Sequence, residues 1–273
     1  YNGNTTTSNI TTGELVEVLS ATKTAVQTEY QQDDTLTYVV NILNSGNTTM
    51  TGVTISDNLG AYTLNTITLV PMDYVVGTVR YYVGGVLQPT PTVTAGPPLT
   101  ISGLSVPAKG NVTVIYQAKT NDYAPLAQES SITNTATINA NNIANPITAS
   151  ATVNAYSEPV LRISKSLTPT TVSENGQLTY TFIIQNYGNT AADEAAALIV
   201  SDRFDPILNP ITVAFNGTAW TEGTEYTYDA TTGQFVSTAG IITVPAASYT
   251  QDAATGAISI VPGSATLTIT GTV

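Results

Sequence analysis

The stretch Leu36-Thr37-Tyr38-Val39-Val40-Asn41-Ile42-Leu43-Asn44-Ser45-Gly46-Asn47-Thr48 returns later in the chain as Leu178-Thr179-Tyr180-Thr181-Phe182-Ile183-Ile184-Gln185-Asn186-Tyr187-Gly188-Asn189-Thr190. In both copies large apolar residues fall on every second position, and an Asn-x-Gly-Asn-Thr turn follows. A period of two puts those side chains on one face of an extended chain, so each copy reads as a β-strand with one buried face. The offset is 142 (165 − 23), and it also relates Val18, Leu19 and Lys23 to Val160, Leu161 and Lys165.

Further landmarks keep the same order. Ser56-Asp57 answers Ser201-Asp202 at an offset of 145 (202 − 57), and the hairpin signal Gly84-Gly85 answers Asn216-Gly217. Val106-Pro107 and Val112-Thr113-Val114 pair with Val261-Pro262 and Leu267-Thr268-Ile269. Turn residues punctuate short alternating runs at the spacing of a sandwich, which gives the expected fold: all-β, two tandem immunoglobulin-like β-sandwiches. Ala191–Ala197, rich in alanine with Asp193 and Glu194, departs from the pattern and favours a helical turn inserted before a strand. The chain divides at Tyr156-Ser157-Glu158-Pro159 into a first domain, 14–156, and a second, 157–273.

The copies are unequal. The first continues beyond Val112–Ala118 through two more strand-like runs, Ser130–Ala140 and Ile147–Ala155, whereas the second stops at Val273, where its matching strand ends. The second sandwich is therefore expected to lack its closing strand or strands and to present an open edge. Residues 1–13, Tyr1 to Gly13, precede everything that recurs, and they are read as a spare strand. Donated to the next copy, that strand would give a head-to-tail homopolymer through a heterologous contact.

Composition narrows the chemistry. With 7 basic and 19 acidic residues the net charge is −12, which repels nucleic acid and anionic lipid surfaces. His and Cys are both absent, which removes imidazole- and thiol-based catalysis and their metal sites, so the chain is not expected to be an enzyme or to carry a cofactor or metal. No apolar run is long enough for a membrane helix, and the start at Tyr1 fits a processed, secreted protein. Asp33-Asp34, Asp193-Glu194 and Asp202 with Asp205 offer carboxylates, but none has the loop spacing of a Ca²⁺ site. Five Asn-x-Thr sequons, at Asn4, Asn9, Asn47, Asn111 and Asn216, are candidates for glycosylation.

Lys23, Leu36-Thr37-Tyr38-x-x-x-Ile42-x-Asn44-x-Gly46-Asn47-Thr48, Val53-x-Ile55-x-Asp57 and Ile132-Thr133-Asn134-Thr135-Ala136-Thr137 together resemble the prokaryotic "conserved repeat" domain of unknown function. That is an immunoglobulin-like module found in tandem in bacterial and archaeal surface proteins. The resemblance implies an extracellular sandwich. Related surface sandwiches carry an internal isopeptide bond from a first-strand Lys to a last-strand Asn beside a buried acid, and this implies Lys23, Asn134 and Asp57 in those roles. In the second copy Lys165 and Asp202 are retained without the strand that bears the Asn. Asn4, in Asn4-Thr5-Thr6-Thr7, is the first candidate to supply it and Asn9 the second. Two functions stay open: a structural subunit of an extracellular, pilus-like filament, or a non-polymerising stalk or adhesin module that binds a ligand such as a glycan.

Overall fold

The computed structural model describes residues 19–141 and 143–273. Among these, strands and turns make almost all of the regular structure. The first domain holds β1 (Leu19–Ala25), β2 (Glu29–Tyr30), β3 (Thr35–Asn44), β4 (Met50–Asp57), β5 (Tyr62–Leu64), β6 (Ile67–Leu69) and β7 (Met72–Tyr74). It continues with β8 (Arg80–Val83), β9 (Val86–Leu87), β10 (Thr92–Thr94), β11 (Leu99–Val106), β12 (Asn111–Thr120), β13 (Ser131–Asn139) and β14 (Ile147–Ala155). One sheet runs β1-β3-β12-β8-β9, and the other β10-β11-β4-β13-β14-β2. The inward side chains of both sheets, Leu36, Tyr38, Val40 and Ile42 on β3 among them, form one core. That is the alternation read from the sequence.

The second domain holds β15 (Leu161–Thr168), β16 (Gln177–Asn186), β17 (Ser201–Arg203), β18 (Ile211–Phe215), β19 (Thr218–Trp220) and β20 (Tyr226–Asp229). It ends with β21 (Gln234–Ser237), β22 (Ser248–Gln251), β23 (Ile258–Val261) and β24 (Gly263–Thr272). Its first sheet, β15-β16-β24-β18-β19, repeats the order β1-β3-β12-β8-β9 of the other domain, where β7 pairs with β12 in addition. The Gly84-Gly85 and Asn216-Gly217 hairpins fall where the sequence puts them, with positive φ at all four residues. A second core packs behind this sheet around Phe182, Phe204, Phe235 and Leu267.

The second sheet is where the domains part. In the first domain β4 is hydrogen-bonded on both sides, to β11 and to β13. In the second, β17 pairs with β21 on one side, and among the described residues no strand pairs its other side. The alanine-rich insertion before β17 forms a single 3₁₀ turn, Glu194–Ala196, capped by the Asp193 side chain.

The pairing of Val106-Pro107 with Val261-Pro262 needs correction. Buried Asn44 donates through Nδ2 to the Thr48 and Pro107 carbonyls, at 2.8 and 3.0 Å. Its repeat, Asn186, donates to the Thr190 and Pro245 carbonyls, at 2.7 and 3.1 Å. A buried amide must be satisfied, so the carbonyl it takes identifies the equivalent position: Val244-Pro245, not Val261-Pro262. Residues 246–262, the β22–β23 hairpin, are an insertion where the first domain makes a tight turn.

Candidate functional site

β1 and β13 lie in opposite sheets, and Lys23 and Asn134 both point between them. Lys23 Nζ lies 2.5 Å from Asp57 Oδ2, and neither side chain is exposed. The same carboxylate oxygen accepts the Tyr116 hydroxyl at 2.5 Å, and that hydroxyl accepts from Asn134 Nδ2 at 3.3 Å. Asp57 Oδ1 takes the Leu59 amide at 3.0 Å. The three residues nominated from the sequence thus join one buried chain, Lys23–Asp57–Tyr116–Asn134. Tyr116 was not anticipated. Its only signal is the alternation of Val112, Val114 and Tyr116 on β12, which marks it as core without marking its hydroxyl as functional.

Electrostatics favours a reactive amine. Burial pushes the Lys23 ammonium down from 10.5 to about 8, although the Asp57 charge and hydrogen bond pull it back up. Burial, followed by the Asp57 charge, also raises the Tyr116 phenol, which therefore stays protonated and able to donate. The Tyr38 ring lies under the Lys23 nitrogen, 4.8 Å from its centroid. The Asn134 Oδ1 atom is buried without a hydrogen-bond partner. An orphaned carbonyl oxygen beside a buried carboxyl and an amine is expensive unless it has a use. The arrangement gathers an amine, a carboxyl and an amide in one buried chain, the groups that an amide exchange between Lys23 and Asn134 with loss of ammonia would need.

In the second domain Lys165 pairs with Asp202, but 38% of the lysine side chain and 20% of the aspartate side chain are exposed. Lys165 Nζ lies over the rings of Tyr180 and Phe204, at 4.5 and 5.6 Å from their centroids. Tyr38 pairs with Tyr116, whereas its repeat Tyr180 pairs with Ile269, so this site has no equivalent of the Tyr116 hydroxyl. Beside the pair runs an apolar groove lined by Leu161, Ile163, Ile184, Leu198, Val200 and Ile242. Ile163 and Ile199 are each 57% exposed there. In the first domain β1 packs against β14, and the corresponding face is covered.

Asn4 and Asn9, with the whole 1–13 segment, lie outside the described residues. Asn47, Asn111 and Asn216 are exposed, although the Asn216 side chain already accepts the Thr266 amide at 2.8 Å. Among the described residues no group of three or more acidic side chains is placed to hold a metal ion.

No family model matches the chain. No curated protein matches it either. Among solved structures it is similar to the pilus backbone RrgB of Streptococcus pneumoniae, at 14% identity and TM-score 0.37, over 89% of this chain and 55% of that one. It is also similar to BcpA, the major pilin subunit of Bacillus cereus, at 11% identity and TM-score 0.39, over 91% of this chain and 66% of that one. A third is the collagen-binding domain of a Staphylococcus aureus adhesin, at 15% identity and TM-score 0.32, over 52% of this chain and 99% of that one. The chain spans about half the length of the pilus backbone structures it matches.

Proposed function

We propose that this chain is a structural subunit of an extracellular filament, in which residues 1–13 of one copy complete the second domain of the next. A self-formed Lys23–Asn134 amide bond reinforces the first domain. The observation that carries the reading is the side of β17 that no strand among the described residues pairs, which runs beside an apolar groove where the sibling domain has β13 and β14. An incoming strand would gain main-chain hydrogen bonds along β17 and would cover Ile163 and Ile199. Each is worth about 1–2 kcal/mol at half burial. Donor and acceptor are different surfaces, so the contact repeats without closing. The chemistry is assembly, with one bond-forming event per domain and no turnover.

Deleting residues 1–13 tests this reading. The full chain forms filaments visible by electron microscopy, and the deletion leaves particles of monomer mass in light scattering. A synthetic peptide of residues 1–13 then binds the deletion variant. Filaments that survive the deletion would remove strand donation from the account.

A further inference from the structure

In the buried chain of the first domain the acid meets the amide through a phenol. Asp57 Oδ1 takes the Leu59 amide, while Oδ2 takes Lys23 Nζ and the Tyr116 hydroxyl, each at 2.5 Å. The phenol oxygen in turn accepts from Asn134 Nδ2 at 3.3 Å. From this arrangement we propose that Tyr116 is a catalytic residue of the Lys23–Asn134 bond, the relay that carries a proton from Asp57 to the departing nitrogen of Asn134. The inference rests on the amide bond proposed above.

Topology fixes the phenol in that place. Asp57 and Asn134 stand on neighbouring strands of one sheet, with Ala136 opposite Asp57 in the β4–β13 pairing, and Tyr116 reaches them from β12 in the middle of the other sheet. Its ring stacks on that of Tyr38 with centroids 5.7 Å apart, which limits where the hydroxyl can point. Tyr116 and Asn134 are both fully buried, so the hydroxyl, and not bulk water, is the proton donor within reach of Nδ2. The reaction needs one there. An amide ion is too basic to leave, so Nδ2 must gain a proton before its bond to Cγ breaks. In the second domain Ile269 pairs with Tyr180 where Tyr116 pairs with Tyr38, so among the described residues the phenol occurs in the domain that has the asparagine.

The protons balance along this path. Lys23 first gives a proton to Asp57 Oδ2 and becomes a neutral amine, which burial favours. Nζ then attacks Cγ of Asn134, and Nδ2 of the tetrahedral adduct gains a free lone pair that the planar amide had committed to resonance. Burial and then the Asp57 charge keep the phenol protonated, so it has a proton to give. Asp57 passes its proton to the phenol oxygen as the phenol passes its own to Nδ2. The Cγ–Nδ2 bond breaks, ammonia departs, and the second Nζ proton returns to Asp57. Carboxyl and phenol end as protonated as they were before the attack, with no change of oxidation state.

The test uses the full chain, recovered unreacted from inclusion bodies in urea and refolded by dilution. Intact mass follows the loss of ammonia, and circular dichroism follows folding separately. Wild-type chains lose one ammonia. Tyr116→Phe, which keeps the ring against Tyr38 and removes only the hydroxyl, refolds but loses ammonia about a hundredfold more slowly. In mixtures of light and heavy water the wild-type rate plotted against deuterium fraction bows downward, since more than one proton moves in the step. That series needs only the wild-type chain, so it decides the matter even where Tyr116→Phe does not fold. A straight or flat plot overturns the relay. Loss of ammonia from Tyr116→Phe at the wild-type rate overturns the role of Tyr116 and leaves the amide bond standing. Refolded wild-type chains that keep their full sequence mass defeat the bond itself, and the relay with it.

Discussion

Burial of one amine sets the behaviour of the first domain. In the folded state Lys23 titrates at about 8, against 10.5 when unfolded, so between those values the unfolded chain binds more protons. The resulting penalty is fully present below pH 8 and is relieved as pH rises toward 10.5. By linkage it amounts to about 3 kcal/mol. In Asn134→Ala, where the amine stays free, first-domain stability should rise between pH 8 and 10. Above that the window closes, because Tyr38 and Tyr116 are raised by burial and lose stability as pH climbs. With the proposed Lys23–Asn134 amide formed, the wild-type domain has no free amine there and should show no such rise. Trp220, the only tryptophan, reports the second domain, so a denaturant transition in tyrosine circular dichroism that Trp220 fluorescence does not share belongs to the first.

The proposed bond has a mass signature as well. Wild-type protein should weigh one ammonia less than its sequence, and Asp57→Asn should restore the full mass. An amide between residues 23 and 134 closes a loop of 111 residues (134 − 23), and by analogy with a disulfide of that span it restrains the unfolded chain by roughly 4–5 kcal/mol. Asn134→Ala tests the same point and keeps Lys23 opposite the buried Asp57. It should lose the loop closure and keep the packing, which a lowered melting temperature with the full sequence mass would record.

Among the strands of the second domain, the β22–β23 hairpin has no counterpart in the first, and it reaches across to it. Gln251 Nε2 donates to the Tyr62 hydroxyl at 2.6 Å, and Asn65 Nδ2 reaches the Ala253 carbonyl at 3.4 Å. Gly256, at φ +74°, lies so close to Leu69 that an added Cβ would stand 2.5 Å from its Cδ1. Glycine is required there twice over, by backbone sign and by space. At the base, Asn189 Nδ2 donates to the Leu126 and Tyr156 carbonyls at 2.9 and 3.0 Å. The hairpin is a strut across the junction. Replacing residues 246–262 by the Ala-Lys-Gly turn found at 108–110 should leave both cores folded and broaden the distance distribution in small-angle scattering. An unchanged distribution would mean that the linker alone sets the angle between domains.

At the scale of the whole molecule, β4 of the first domain is paired on both sides, whereas among the described residues β17 of the second is paired on one. The consequence can be read at homologous positions: Lys23 is sealed and Lys165 is wetted, because β14 packs on β1 and, among the described residues, no strand takes that place beside β15. An open edge beside apolar side chains is an aggregation hazard unless a specific partner occupies it.

Much of this was legible without coordinates. Alternation at 36–42 and 178–184 specified strands and their inward faces, since side-chain period two is a local property of extended backbone. The resemblance to surface sandwiches implied Lys23, Asp57 and Asn134, and the repeat carried the first two over to Lys165 and Asp202. Three things required the tertiary structure. Tyr116 joins Asp57 to Asn134 only because two sheets bring strands distant in sequence face to face, and no local pattern encodes which buried hydroxyl meets which carboxylate. The equivalence of Pro245 with Pro107 depends on where a buried amide finds its acceptor, and a short Val-Pro match cannot report that. The hairpin's role as a strut comes from contacts such as Gln251 with Tyr62, between residues of different domains, whose meeting is decided by packing and not by propensity.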